Sequence, residues 1–222
     1  MDWTAFALSI ELAAWTVVLL VPLGGFVAWQ LALKRFPGKY WVEAMLALPL
    51  VLPPTVLGYY LLSLVGGTSP IGQAWQGWFG RPLAFSFEGL VLASLVFNIP
   101  FAIQPMQRGF EAVPTDVREA AWCSGLSRWA TFWKIELPLA WTGIVSGIVM
   151  TFVHTLGEFG VVLMMGGNIP GETKTIAIAI YDRVQAFDEA NAARMSGLLL
   201  ALSVVAISAV YFLSSRVGRR HG

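Results

Sequence analysis

Charge is what this sequence has least of. Among 222 residues, 14 are Lys or Arg and 13 are Asp or Glu, 12% in all. That is about half the share of an ordinary soluble domain. The two signs nearly cancel, leaving a net charge of +1, so nucleic acid is not an expected partner. The single cysteine, Cys123, excludes an internal disulfide and a cysteine metal cluster. The two histidines, His154 and His221, stand far from each other and from Cys123 along the chain. No metal site, catalytic residue or resident cofactor is therefore expected, and a membrane enzyme is disfavoured. A basic leader region is also missing: "MDWTAFALSIELAAW" holds no Lys or Arg, so no cleavable signal is expected. Finally, no phosphate-binding loop is present. "GGNIPGETK" has Gly166 and Gly171 at the right spacing, but Glu172 stands where the lysine belongs.

What the chain has in excess is apolar surface. It is 57% hydrophobic with ten Trp and fourteen Phe, and its mean hydropathy is +0.69. With lipid as the main solvent, backbone polar groups must be satisfied within helices or a closed barrel. The apolar runs are continuous rather than alternating, which selects helices. Five are long enough to span a bilayer, given a need for roughly 20 apolar residues. They cover about Ile10–Leu33, Trp41–Val65, Gly89–Met106, Leu139–Met165 and Met195–Ser215. The expectation is a single all-α polytopic membrane domain over residues 1–222. Pro49, Pro53 and Pro54 remove amide donors and should break the second span.

Lys and Arg gather on one side of such a topology. Lys34, Arg35, Lys39, Arg108, Arg118, Arg128, Lys134, Arg216, Arg219 and Arg220 share a face, against Arg81, Lys174, Arg183 and Arg194 on the other. The amino terminus is expected outside and the carboxyl terminus in the cytoplasm.

The longest polar segment between spans covers about residues 111–138. Pro114 suits a first helical turn, with Thr115 or Asp116 as a cap. Val117–Cys123 reads as one short helix and Arg128–Glu136 as a second, capped by Ser127 and stopped by Pro138. Gly125 sits between them, where a left-handed cap belongs. Ala120 and Ala121 should leave a smooth surface for close approach. Val117, Trp122, Trp129, Phe132 and Trp133 are more apolar than a solvated loop tolerates. The physical pattern leaves two readings open: a docking element for a protein, or an amphipathic hairpin lying on lipid.

The same segment resembles the EAA signature of binding-protein-dependent ABC importer permeases. Glu119, Ala120, Ala121, Gly125, Ile135, Leu137 and Pro138 match it at every spacing. The resemblance implies the type I importer permease fold. It also implies that the loop is a coupling helix that docks on a separate cytoplasmic ATPase subunit, where ATP binds. Three further strings resemble the molybdate permeases along nearly the whole chain: "FPGK" with "LPLVLPPTVLGYYLL" (Phe36–Leu62), "TLGEFG" (Thr155–Gly160) and "NIPGET" (Asn168–Thr173). Sulfate permeases share much of the first two, and the "NIPGET" form points to molybdate. The resemblance implies import of molybdate, with tungstate as co-substrate, a soluble oxyanion-binding protein outside, and a homodimeric pore. One departure stands at His154, where molybdate permeases often carry Arg.

The candidate gate and pathway residues are Pro53, Pro54, His154, Gly157, Glu158, Phe159 and Gly160. A carboxylate repels an oxyanion, so Glu158 is expected to close the outer mouth through hydrogen bonds, paired with His154 one turn earlier, or to form a polar pair with no gating role. Thr173–Glu189 places Ile176, Ile180, Val184 and Phe187 on one helical face, as a gate helix or an interfacial one. Gly143 and Gly147 form a GxxxG pair that permits close helix packing. A secondary transporter, the rival class, should show several mid-depth charges or an inverted repeat; neither is found by inspection.

Overall fold

The computed structural model describes residues 1–218, with side chains to Phe212. Arg219, Arg220 and His221 lie outside the described residues, as does the side chain of Arg216.

The first helix, α1 (Trp3–Leu33), starts at Asp2, whose carboxylate accepts the Ala5 amide at 3.0 Å. At 1.5 Å per residue its 31 residues exceed the thickness of a bilayer. Small residues recur on its buried side, among them Ala13, Thr16, Gly24 and Ala28. That stripe lets α5 (Phe87–Glu111) approach closely. Helix α5 is the centre of the bundle, packed against both α1 and α9 (Trp141–Gly157), which also touch each other. The GxxxG pair serves this second contact. A Cβ on Gly143 would sit 2.7 Å from the Cα of Gly109, and one on Gly147 would sit 2.9 Å from the Ala102 carbonyl oxygen.

Among the described residues, α1, α5 and Glu189–Phe212 of α12 (Glu189–Gly218) are single helices long and apolar enough to cross a membrane. Two bent pairs raise the number to five. Helix α2 (Lys39–Val51) meets α3 (Pro54–Val65) at 109°. The break falls at Leu52–Pro53, as expected, while Pro49 is absorbed within α2. The second bent pair, Arg128–Leu139 with Trp141–Gly157, turns by 68°.

Several expectations need correction. The fourth span does not run from Leu139 to Met165: α9 ends at Gly157, and a separate helix, α10 (Gly160–Gly166), follows. Glycines at both edges of Glu158–Phe159 favour that break, since glycine is a poor helix former. The sequence reading also missed α4 (Pro70–Phe79), which is too short and too uncharged to register as a span or a polar loop. Its Ser69 caps the Gly72 amide at 2.9 Å. The helix expected over Thr173–Glu189 is α11 (Ile176–Gln185). It buries Ile176, Ile178 and Ala179, leaving Val184 and Phe187 exposed. The helix ends before Phe187, which adopts a positive φ of 56° and falls out of phase.

Two large apolar clusters fill the bundle. One joins α1, α3, α5 and α10 around Leu12, Leu61, Leu90, Phe97 and Val162. The other joins α1, α5 and the chain around Ala140, through Leu31, Ile103, Met106 and Phe110. A smaller third one gathers Ala5, Ile176, Ala179 and Met195. Helix α2 buries none of its residues within this chain, and α12 buries little of its apolar window.

Candidate functional site

The polar segment folds as a hairpin of two helical arms. The first arm, α6 (Thr115–Cys123), begins at Pro114 with no side-chain cap, so neither Thr115 nor Asp116 plays that part. It ends in a Schellman motif. The Leu126 amide donates to the Ala121 carbonyl at 3.1 Å, and the Gly125 amide donates to the Trp122 carbonyl at 2.9 Å. Gly125 has φ +80°, a conformation open to glycine and strained for a side chain. Ser127 caps the second arm as expected, accepting the Ala130 amide at 3.2 Å.

That second arm is not a plain helix. It runs α7 (Arg128–Thr131), a π-turn (Phe132–Glu136) and α8 (Leu137–Leu139). Pro138 therefore does not stop it. The widened π-turn displaces the Lys134 carbonyl that the proline ring would otherwise strike, and the helix continues to Leu139.

The seven signature residues divide between surface and interior. Glu119, Ala120, Gly125 and Pro138 are exposed; Ile135 and Leu137 are half-buried; Ala121 is buried. Only Ala120 of the alanine pair thus offers a smooth surface. Ala121 instead packs inward and accepts the cap bond. Around them, Trp122, Trp129 and Trp133 are 43%, 58% and 53% exposed, which leaves a broad aromatic surface uncovered. Cys123 is also exposed.

Beneath the hairpin lies a polar joint that sequence reasoning missed. Arg118 Nε donates to Glu136 Oε1 at 2.8 Å, and its terminal nitrogen donates to the Phe110 carbonyl at 2.6 Å. Trp29 Nε1 donates to Glu136 Oε2 at 2.6 Å. The sequence had counted Arg118 among the charges that set orientation. Its partner stands eighteen residues away, beyond the reach of local pattern.

The candidate gate residues converge at the other proline-glycine break. A Cβ on Gly160 would lie 2.7 Å from Cβ of Pro54, and one on Gly58 would lie 3.2 Å from Cα of Val161. The strings "LPPTVLG" and "GEFG" therefore meet as α3 against α10. A cavity of about 150 Å³ opens beside them, lined by Pro49, Pro54, Phe97, Phe101, His154 and Glu158. Pro53 and Gly157 are exposed and do not line it, and the Phe159 ring stands 4.9 Å from that of Tyr181 on α11.

Glu158 does not pair with His154. The helix breaks between them, so the one-turn relationship is lost. Glu158 Oε1 accepts the Val161 amide at 3.0 Å and closes the first turn of α10. His154 Nδ1 instead lies 3.1 Å from Asn98 Oδ1. The orientation of Asn98 is fixed by its other bonds. Its Nδ2 donates to the Ser94 carbonyl at 2.9 Å and to Thr155 Oγ1 at 2.9 Å, while Thr155 donates to the Thr151 carbonyl. Asn98 Oδ1 is thus the acceptor, which places a proton on His154 Nδ1. The His154 ring stacks on Phe101 at 3.7 Å. Thr16 and Ser94, hydroxyls 2.6 Å apart, extend the network to α1.

"NIPGET" is a self-closing turn. Thr173 donates to the Gly166 carbonyl at 2.6 Å and accepts the Ile169 amide at 3.2 Å. Asn168 and Lys174 both bind the Asp182 carboxylate, at 3.0 and 2.7 Å. Burial pushes the Asp182 carboxyl up, but the hydrogen bonds from Lys174 and Asn168 outweigh it and hold the group below the usual range.

With this geometry in place, known proteins supply the family. The description "Binding-protein-dependent transport system inner membrane component" matches residues 20–219. The chain belongs to that family. It is a multi-pass component of the inner membrane. Its relatives include the molybdenum transport system permease protein ModB of Azotobacter vinelandii, 44% identical over 210 residues, 95% of this chain and 93% of that protein. ModB of Escherichia coli K12 is 40% identical over 207 residues, 93% of this chain and 90% of the relative. The sulfate transport system permease protein CysT of the same organism is 34% identical over 197 residues, 89% and 71%. Among solved structures, a bacterial alginate ABC transporter aligns with a TM-score of 0.76 at 15% identity, over 96% of this chain and 78% of that one. The MetNI methionine ABC transporter aligns at 0.62 and 17%, over 99% and 93%. At these identities the likeness shows the permease fold alone.

Proposed function

We propose that this permease forms the translocation pathway of an ATP-driven molybdate importer, with tungstate as co-substrate. The hairpin of residues 111–138 carries the reading. It presents Glu119, Ala120 and Gly125 outward beside three exposed tryptophans, a surface suited to a cytoplasmic ATPase subunit. The ATP-binding and catalytic work belongs to that subunit; this chain is non-catalytic. Two copies pair, each contributing one hairpin, and a soluble oxyanion-binding protein delivers the anion at the outer face. The hairpin and the carboxyl terminus lie in the cytoplasm, the amino terminus outside, following the Lys and Arg bias. Half-buried Ile135 and Leu137 hold the second arm on the bundle, Ala121 holds the first, and Pro138 joins the outward surface.

A divalent anion is too costly to dehydrate in hydrocarbon, so the path is wet and its contacts weak. Pro53, Pro54, Gly157, Phe159 and Gly160 form its gate, with His154 and Glu158 on the cavity beside it. The molybdenum relatives at 44% and 40% identity support this substrate. The sulfate relative at 34% supplies the rival reading. Uptake of labelled molybdate into proteoliposomes containing the permease, its ATPase and its binding protein tests both. Competition by tungstate with little competition by sulfate is the expected result. Stronger competition by sulfate makes this a sulfate permease, and the absence of any ATPase in the purified complex removes the importer reading altogether.

A further inference from the structure

Glu136 is 2% exposed, and three elements converge on it or on its partner. Arg118, 7% exposed, binds it from the first arm of the hairpin and also binds the Phe110 carbonyl in the last turn of α5. Trp29 binds it from α1. The two arms and two spanning helices thus meet at one ion pair, α1 at the Glu136 carboxylate and α5 at the Arg118 guanidinium.

The π-turn aims it there. Buried positions along the second arm fall at Thr131, Glu136 and Ala140. The first interval is five residues, the same i to i+5 step as the hydrogen bond of the π-turn from the Leu137 amide to the Phe132 carbonyl. A plain α-helix would bring Ile135 under Thr131 and turn Glu136 aside. The extra residue in the turn therefore carries a charge into the interior, where an apolar side chain would ordinarily pack as well. A buried ion pair is weak evidence for stability, since apolar replacements often do better. Its geometry here, with both carboxylate oxygens bound and donors from separate helices, suits a rigid joint.

We propose that Glu136 is a positioning residue for coupling: it fixes both arms to α1 and α5, so that displacement of the hairpin moves those spans and is not absorbed at the hinge. This rests on the hairpin being the ATPase docking element. Arg118 directly precedes Glu119 of the docking surface, and Glu136 lies between Ile135 and Leu137 at its other end. Without the joint, the first arm would be held by residues 112–114 and the packing of Ala121, with no polar bond to α5 through Arg118.

The test uses the full complex of permease, ATPase and binding protein in proteoliposomes, reading molybdate uptake per ATP hydrolysed. Trp29→Phe deletes the indole donor while keeping an aromatic ring against Phe132. It should leave assembly and ATP hydrolysis intact and lower uptake per ATP about tenfold, a factor commensurate with a hydrogen bond to a charged group. Glu136→Gln should lower it at least as far; should that variant fail to insert, Trp29→Phe decides alone. Phe132→Leu serves as the packing control, because it thins the ring contact and leaves the carboxylate's bonds in place. It should lower the melting temperature without changing the ratio. An unchanged ratio in Trp29→Phe, or an equal fall in the Phe132→Leu control, overturns the proposal. Failure of the parental permease to retain an ATPase would instead overturn the docking reading beneath it.

Discussion

Gly160 and Pro54 touch across the break between two helix pairs: a Cβ on Gly160 would stand 2.7 Å from Cβ of the proline. The atom it would strike belongs to a ring at the first turn of α3, which has little freedom to give way. Helix α10 can seat on α3 only while position 160 lacks a side chain. Gly160→Ala should therefore push the two apart at a cost of roughly 1–3 kcal/mol, the range for overpacking a filled site. The expected outcome is a severalfold loss of molybdate uptake with ATPase retention unchanged, because the hairpin is built from other elements. Parental uptake in that variant would mean that the contact is packing without a part in the gate.

Gly143 makes the same demand at the α5–α9 crossing, but on backbone. Its Cβ would meet the Cα of Gly109 at 2.7 Å. Gly143→Ala should destabilise the bundle by roughly 1–3 kcal/mol, measured as a lower melting temperature in detergent. Gly77 in α4 provides the contrast, since a Cβ there meets nothing within 4 Å. Gly77→Ala should be neutral or stabilising by up to about 1 kcal/mol, the helix-propensity difference.

These glycines show where the sequence was readable and where it was not. The GxxxG spacing predicts a close face, yet only the fold identifies Gly109 as its partner. Composition and continuous apolar runs suffice for a helical membrane protein, because lipid leaves few alternatives. Local chemistry suffices for the Gly125 cap, the Ser127 cap and the Leu52–Pro53 break, since each is decided within a few residues. Features that depend on a change of helical period were hidden. The π-turn rotates Glu136 inward against the 3.6-residue pattern, and the break at Glu158–Phe159 has no proline to announce it. Long-range polar pairs were hidden too. Arg118 looked like a surface charge, and His154 found Asn98, fifty-six residues away, in place of Glu158.

Gly125 ties the hairpin's shape to its proposed role. Its φ of +80° completes the Schellman motif that sets the angle between the two arms. A β-branched residue there is strained, although nothing lies within 4 Å of the added Cβ. Gly125→Val should consequently leave the bundle intact and disturb only the hairpin. The expected outcome is normal membrane insertion with a markedly lower yield of ATPase on copurification. Normal copurification together with normal uptake would count against the docking role of this turn.

Asp182 makes a pH-dependent clasp on the "NIPGET" turn. Burial alone would raise its carboxyl, but Lys174 and Asn168 hold the folded-state value below the ordinary one of about 3.9. A depressed carboxylate contributes stability that is fully present above its unfolded value and disappears as pH falls through the folded one. The turn should thus stay anchored from neutral pH down to about 4 and loosen below that, as the proton displaces the ammonium of Lys174. Asp188 is depressed as well, through Asn191 and Arg183, so acid loosens more than one contact on this side of the fold. The substitution Asp182→Asn isolates the clasp: it removes the charge at every pH and should leave the turn weakly held throughout. Amide hydrogen exchange over residues 168–176, corrected for intrinsic rates, reads the difference. Protection in the parental chain should fall toward that of Asp182→Asn only at the acid end; equal protection of the two at pH 7 would show that the carboxylate does not anchor the turn.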